Sequence, residues 1–163
     1  MRRLIIFLIG TGARRGEALN LTWGDVDLAS NARAAVTLIE TKNGEDRRVP
    51  LPNPVRDLLA TMRRKAGNPS KKDRVFTWVR RGTDEAVAYK ADPGTVFDRA
   101  RRDAKLKDIT IHTLRHTYAS RLVMKGAPLA HVSKLLGHSK IQMTMRYAHL
   151  APQGLDDAVA VLD

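Results

Sequence analysis

A tyrosine near the C-terminal end of the sequence is accompanied by basic residues that could bind and attack a phosphate group. Tyr147 lies shortly after His138, and arginine motifs lie upstream at Arg14 and Arg115. Arginine stays protonated and presents a planar fork of donors that matches phosphate oxygens, and a tyrosine hydroxyl can serve as a nucleophile. In a chain of net charge +12, this combination suggests nucleophilic attack on a phosphodiester.

Three pairs of residues have spacings that place both side chains on one face of a helix. Arg14 and Glu17 could clamp and orient a phosphate, although an exposed ion pair explains the two residues alone. His112 and Arg115 could attract an anion if they lie at the start of a helix, where backbone N–H groups lack partners; a surface helix start is the alternative. His112 and His116 have the spacing of a zinc-binding helix. Because no glutamate follows His112 and Arg115 adds positive charge, we expect no metal site there.

Three further candidates have ordinary structural explanations. Lys42 precedes the turn sequence Asn43-Gly44; a lysine at a hairpin tip usually faces solvent, but it could also reach into a DNA groove and protonate a leaving oxygen. His138 follows Gly137, where the dipole at a helix C-terminus would favour a cation. Tyr147 alone is equally compatible with a half-buried aromatic side chain. None of the three identifies a catalytic role by itself.

The composition restricts the partner and the compartment. Lys and Arg total 29 against 17 Asp and Glu, and they are spread along the chain, which favours a broad basic face that binds a polyanion such as DNA. There are no cysteines, so disulfides and thiolate metal sites are excluded. The early apolar stretch 4–9 is too short to span a bilayer, and no small-residue cleavage site follows it. We therefore expect a cytoplasmic protein that binds a polyanion and has no membrane partner.

Apolar periodicity and turn residues predict a mainly α fold with a small antiparallel β-sheet, an α+β class. An apolar helix over 4–9 should break or end at the pair Thr11-Gly12, and strands over 34–41 and 47–51 should form a hairpin. A third strand is expected at 74–78 and a loop at 80–92. Further helices are predicted at about 15–21, after Pro54, Pro93, Thr110 and Pro128, and at 153–162. Ser139 and Gln142 form a capping-box pattern, so a helix starting near Lys140 should carry Tyr147.

Five motifs occur in a fixed order along the chain. They are Thr11-Gly12-Ala13-Arg14-Arg15-Gly16-Glu17; Thr41-Lys42-Asn43-Gly44 with Arg47-Arg48-Val49-Pro50-Leu51; His112-Thr113-Leu114-Arg115-His116-Thr117; Leu136-Gly137-His138-Ser139; and Arg146-Tyr147-Ala148-His149. Each is weak alone, but the ordered series resembles the catalytic domain of the tyrosine recombinases, the phage integrase family. The resemblance extends from about residue 4 to residue 150.

The resemblance implies site-specific DNA recombination or integration, in which DNA is cleaved and rejoined through a covalent 3′-phosphotyrosyl intermediate. It assigns catalytic roles to six residues and a supporting role to a seventh. The catalytic residues are Arg14, Lys42, His112, Arg115, His138 and Tyr147, and the supporting residue is Glu17. The resemblance further implies that neither a metal ion nor a cofactor is required, because side chains supply the positive charge, and that the substrate is DNA and not a small molecule.

The resemblance also predicts how the protein is organised. Residues 1–163 should form a single catalytic domain, without the N-terminal core-binding domain that family members usually carry. Assembly as a homo-oligomer, a tetramer, on double-stranded DNA is expected, with residues 153–163 either docking on a neighbouring protomer or folding back on their own core. Two alternatives remain: a non-catalytic or remnant DNA-binding domain, and a topoisomerase that uses the same chemistry.

Overall fold

Residues 1–29, 33–39, 46–79, 86–88 and 93–152 are described by the structure, a computed structural model. The chain divides into two units, Met1–Tyr118 and Ala119–Asp163. Two predicted features lie outside the described residues: Lys42 with its hairpin turn, and the C-terminal docking helix at 153–163.

The described residues of the first unit form four α-helices and the start of a fifth. They are α1 (Arg2–Thr11), α2 (Arg15–Asn20), α3 (Asn53–Lys65), α4 (Pro93–Asp103) and the first part of α5 (Ile111–Met124). As predicted, α1 ends at Gly12, which adopts a left-handed conformation (φ 65°) and donates its N–H to the carbonyl of Leu8. Among the described residues, no helix has the length and apolar character that crossing a membrane requires.

A close approach between α1 and α3 fixes the end of α1. A Cβ atom added to Gly10 would collide with Cγ2 of Val55, so a glycine at this position lets the two helices pack this closely. Phe7, on the same helix α1, packs its ring against the ring of Phe76, with centroids 5.1 Å apart. Both side chains are buried. This packing holds the segment that leads directly into Arg14.

The first unit also contains a three-stranded antiparallel sheet. A short 3₁₀ helix (Trp23–Asp25) leads into β1 (Val26–Asp27), and the strand order is β1, β2 (Ala35–Leu38), β3 (Arg47–Pro50). Pro50 ends β3, an edge strand, as its missing N–H group predicts. The mainly α architecture with a small antiparallel sheet is therefore confirmed.

The prediction for residues 74–92 is wrong in detail. The strand in this region, β4 (Thr77–Val79), starts later than predicted and pairs with β5 (Ala86–Ala88) in a separate two-stranded sheet. Residues 74–76 are instead tied to the chain after α2, because Val75 donates its N–H to the carbonyl of Leu21 at 2.9 Å. The three residues of β5 are too few to show the alternation from which a strand is recognised.

The second unit contains the remainder of α5, then α6 (Leu129–Leu136), α7 (Gln142–Met145) and a 3₁₀ helix (Ala148–Leu150). The core residues are Ala119, Val123, Val132 and Leu136. The prediction that a helix starting near Lys140 carries Tyr147 is wrong. The N-cap is Ile141, whose side chain makes no capping hydrogen bond. The N–H of Tyr147 bonds to the carbonyl of Thr144 at 2.9 Å, an i to i−3 bond that tightens the chain into a turn.

Candidate active site

A buried carboxylate at the start of α2 connects two arginines from different parts of the first unit. Oε2 of Glu17 accepts the main-chain N–H of Arg14 at 2.6 Å, and Oε1 lies 3.2 Å from Nη1 of Arg14. The guanidinium of Arg47 binds both oxygens of the same carboxylate, at 2.8 and 2.7 Å. The Arg14–Glu17 pair is therefore not an isolated surface ion pair. It is part of a three-residue network that reaches from α2 to β3.

Arg47 is a member of this site that was not predicted from the sequence. Its partner lies thirty positions away in the chain, beyond the reach of any local spacing rule. One signal was available: successive residues of a strand point to opposite faces, and Arg47 shares its face with Val49, which is fully buried. A guanidinium on the core side of a strand needs an anionic partner, and Glu17 provides it.

The charge of Glu17 is stabilised by this arrangement. Burial raises the pKa of the carboxyl, but the hydrogen bonds from Arg47 and from the main chain of Arg14, together with the two positive charges, lower it by more. The net pKa of Glu17 lies below its ordinary value of 4.5. The same Arg47 charge opposes the rise that burial produces in the pKa of Tyr118 on α5. Glu17 is thus an anion that holds two cations in place.

We expect Arg47→Ala to lower the free energy of unfolding by about 3 kcal/mol, because it leaves Glu17 buried without its two-pronged partner. The lowered pKa of Glu17 fixes the pH dependence of this loss. The stabilisation is fully present above the ordinary value of 4.5 and disappears as pH falls through the lower value of the folded state. Urea unfolding of both proteins across this range measures the difference.

The neighbouring Arg48 provides a matched control. It pairs with Asp27 at 3.1 Å, but both side chains are about half exposed, so Arg48→Ala should cost less than about 1 kcal/mol. Equal losses for the two variants, or a loss at Arg47 that persists unchanged in acid, would contradict the assignment.

Arg115 is held by the end of α1. Its Nη1 donates to the carbonyl oxygen of Gly12 at 2.7 Å, and the residue is only 5% exposed. The left-handed conformation of Gly12 turns the chain at this point. This hydrogen bond therefore attaches the second arginine motif to Gly12, two residues before Arg14, although Arg14 and Arg115 are far apart in the sequence.

Both arginines line one open cavity of about 570 Å³ in the first unit. The start of α5 also contributes, with His112 exposed on its first turn. Thr110 and Thr113 stabilise this turn through reciprocal side-chain to main-chain hydrogen bonds of 3.0 and 3.3 Å. Such a helix start, next to two guanidinium groups, attracts a phosphate group. The ring of His112 also packs edge-on against His116, with centroids 4.7 Å apart.

The second unit contains the other two described candidates. Tyr147 is buried, with 7% of its surface exposed, at the turn after α7, and the Arg146 guanidinium lies 5.9 Å from its ring centroid. His138 follows the end of α6, and its Nδ1 lies 2.7 Å from Oγ1 of Thr144. Thr144 is fully buried and was not singled out from the sequence.

The structure thus assigns the predicted residues to two groups. Arg14, Glu17, His112 and Arg115 come together in the first unit, together with the unpredicted Arg47. His138 and Tyr147 belong to the second unit, where Thr144 contacts both. Lys42 lies outside the described residues.

The chain matches the model of a known protein family and is similar in sequence to a phage protein. The model of the phage integrase family matches residues 1–153. The integrase of Haemophilus phage HP1 is 34% identical over 156 residues, which are 96% of this chain and 39% of that protein. The chain therefore spans about two fifths of the length of this relative.

Solved structures also share the fold, among them a phage integrase domain and a DNA-bound recombinase. The catalytic domain of bacteriophage HP1 integrase aligns with a TM-score of 0.71 and 32% identity, over 97% of this chain and 79% of that one. The XerH site-specific recombinase bound to its difH substrate in a pre-cleavage complex aligns with a TM-score of 0.71 and 27% identity, over 99% of this chain and 46% of that one.

Proposed function

Because this chain belongs to the phage integrase family, we propose that it is the catalytic part of a tyrosine recombinase that cuts and rejoins DNA at specific sites. The observation that carries the proposal is the cavity of the first unit, where Arg14, Arg115 and His112 meet at the start of α5. A concave site with two permanent cations suits a phosphodiester of DNA. The complex of the similar XerH recombinase with its difH substrate supports DNA as the partner.

In this proposal the arginines bind the scissile phosphate and stabilise the transition state. A phosphodiester already carries a negative charge that repels nucleophiles, and the transition state spreads further charge over its oxygens. Arg14 and Arg115 offer preorganised donors to those oxygens. Glu17 and Arg47 hold Arg14, and Gly12 holds Arg115, so the donors need little rearrangement when the charge develops.

Tyr147 acts as the nucleophile in the proposed reaction. Its oxygen forms a bond to phosphorus while the bond to the 5′-oxygen breaks, which leaves a 3′-phosphotyrosyl link and a free 5′-hydroxyl. We assign the donation of a proton to the leaving oxygen to Lys42, with His112 assisting proton transfer and His138 donating a further hydrogen bond to the phosphate. The covalent link conserves the energy of the phosphodiester, so a second 5′-hydroxyl can rejoin the strand without a nucleotide cofactor.

The complete reaction joins two DNA duplexes, so we expect the protein to act as a homotetramer on double-stranded DNA in the bacterial cytoplasm. Residues 1–163 would serve as its catalytic domain, with residues 153–163 docking on a neighbouring copy. A core-binding domain that closes over the opposite face of the DNA would complete the clamp.

A nicked duplex that carries the protein's own recombination site tests the proposal. Loss of a short nicked fragment after cleavage removes the 5′-hydroxyl and traps the covalent complex, which then survives denaturing electrophoresis. With a core-binding domain supplied, we expect a trapped complex. Binding without any trapped complex would favour the non-catalytic DNA-binding alternative, and relaxation of supercoiled DNA that lacks the site would favour the topoisomerase.

The affinity for DNA should fall steeply as salt rises. Each phosphate contact releases counterions, so the logarithm of the association constant falls by about 0.9 per contact for each tenfold rise in salt. For a chain of net charge +12, we expect a slope of about −5 or steeper. Fluorescence anisotropy of labelled duplex between low and physiological salt measures it, and a flat dependence would contradict the assignment of a basic DNA-binding face.

A further inference from the structure

The main chain of His138 is fixed by the way α6 ends. Gly137 adopts a left-handed conformation (φ 65°) and donates its N–H to the carbonyl of Lys134 at 3.0 Å. The N–H of His138 donates to the carbonyl of Ser133 at 3.1 Å. These two bonds form a Schellman motif, so the position from which the imidazole extends is set by the helix end.

The imidazole itself is held by Thr144, which lies six residues after His138 and three before Tyr147, on α7. Oγ1 of Thr144 lies 2.7 Å from Nδ1 of His138, and the carbonyl of Thr144 accepts the N–H of Tyr147 at 2.9 Å. Thr144 is fully buried. One buried residue therefore contacts both the ring of His138 and the main chain of Tyr147.

The hydroxyl of Thr144 has a different kind of partner from the hydroxyls of Thr11 and Thr117, two other helical threonines. Thr11 and Thr117 donate to the carbonyl four residues earlier, at 2.7 and 2.9 Å, as is common within helices. Within the described residues, the partner of the Thr144 hydroxyl is Nδ1 of His138 alone. A buried hydroxyl that donates to nothing loses stability, so Thr144 donates its proton and Nδ1 accepts it.

The direction of this hydrogen bond determines the protonation pattern of the ring. A neutral imidazole has one N–H group and one acceptor nitrogen. When Nδ1 accepts, the proton must lie on Nε2, and Nε2 becomes the hydrogen-bond donor of the side chain. A histidine that donates to a phosphate oxygen needs this tautomer. The opposite tautomer would present an acceptor lone pair to an anion.

We propose that Thr144 is a positioning residue that holds His138 as the Nε2–H tautomer and links that donor to the main chain of the nucleophile Tyr147. The proposal rests on the function proposed above for these two residues. Thr144 does not contact the phosphate in this account. It acts by orienting the imidazole and by keeping donor and nucleophile in one hydrogen-bonded unit.

Nitrogen NMR of the imidazole tests the tautomer in the free protein, without any need for activity. Long-range proton–nitrogen correlation spectra, recorded where His138 is neutral, should show the proton on Nε2 in the wild type. Thr144→Val keeps the shape of the side chain and removes the hydroxyl, so we expect the Nδ1–H form to appear. Thr144→Ser should keep the wild-type pattern. A wild-type ring protonated on Nδ1, or a pattern that Thr144→Val leaves unchanged, would overturn the proposal.

Single-turnover cleavage of the nicked duplex tests the consequence for the reaction. Thr144→Val should slow cleavage by about 10–100-fold, by analogy with residues that orient metal-bound histidines, while the affinity for DNA stays within about twofold. Thr144→Ser should restore most of the rate. Thr117→Val removes a hydroxyl that donates to the carbonyl of Thr113 in its own helix and serves as the control, with a rate close to the wild type.

The outcomes separate this proposal from the proposed function. Cleavage by Thr144→Val at the wild-type rate, or equal losses for Thr144→Val and Thr144→Ser, would contradict a role for the hydroxyl even if the protein cleaves DNA. Absence of cleavage by the wild type would contradict the proposed function, and the NMR pattern would still decide whether Thr144 sets the tautomer.

Discussion

Tyr147→Phe should eliminate the covalent protein–DNA complex and leave the affinity for DNA nearly unchanged. The substitution removes one oxygen atom, the nucleophile of the proposed reaction, and keeps the aromatic ring that fills a buried position. No other group in the proposed mechanism can form the phosphotyrosyl link, so we expect no trapped complex. The measurement is trapping on the nicked duplex, with the dissociation constant of the same duplex measured in parallel.

Tyr118 provides the matched control, because it is a half-buried tyrosine whose burial raises the pKa of its hydroxyl. Tyr118→Phe makes the same chemical change at a position that the mechanism does not use, and it should trap DNA as well as the wild type does. Trapping by Tyr147→Phe at the wild-type level would contradict the assignment of the nucleophile.

Arg14→Ala should slow cleavage by a factor of about 10²–10³, equivalent to roughly 3–4 kcal/mol of lost transition-state stabilisation. The effect should lie mainly in the cleavage rate constant, because the charge on the phosphate increases in the transition state. Arg14→Lys keeps the charge but loses the fork of donors, so we expect an intermediate rate. Single-turnover kinetics at saturating protein measures all three proteins.

Arg14 suits this test better than Arg115. The Arg115 side chain is buried and donates to the carbonyl of Gly12, so its removal would also disturb the fold. Glu17 keeps its two hydrogen bonds to Arg47 when Arg14 is replaced, so Arg14→Ala should remain folded in urea unfolding. A folded Arg14→Ala protein that cleaves at the wild-type rate would show that Arg14 does not stabilise the transition state.

Most of the fold could be predicted from local sequence patterns, and the errors in that prediction also have local causes. Gly12 and Gly137 were correctly predicted to end helices, because the left-handed conformation that both adopt is costly for other residues. The capping-box pattern at Ser139 wrongly predicted a helix that carries Tyr147. The helix ends at Met145, and a turn closed by the hydrogen bond from the N–H of Tyr147 to the carbonyl of Thr144 follows it. Sequence spacing alone does not distinguish a capped helix from such a turn.

The site was predictable only where its residues are close in sequence or belong to a family motif. Arg14 with Glu17, and His112 with Arg115, were recognised from three-residue spacings. The contacts that hold these residues were missed: Arg47 on Glu17, Gly12 on Arg115, and Thr144 on His138. Two of the three join distant segments, and the third depends on the shape of a turn. The sequence predicts which groups react, whereas the contacts that orient them depend on tertiary structure.

Identifying the amino acid that is linked to DNA tests the central claim most directly. The three tyrosines fall in different tryptic peptides, because arginine or lysine residues separate Tyr89, Tyr118 and Tyr147. We predict that mass spectrometry of the digested covalent complex finds the nucleotide, joined through its 3′-phosphate, on the peptide that contains Tyr147. A nucleotide on peptide 82–90 or 116–121, or one joined through a 5′-phosphate, would contradict the account.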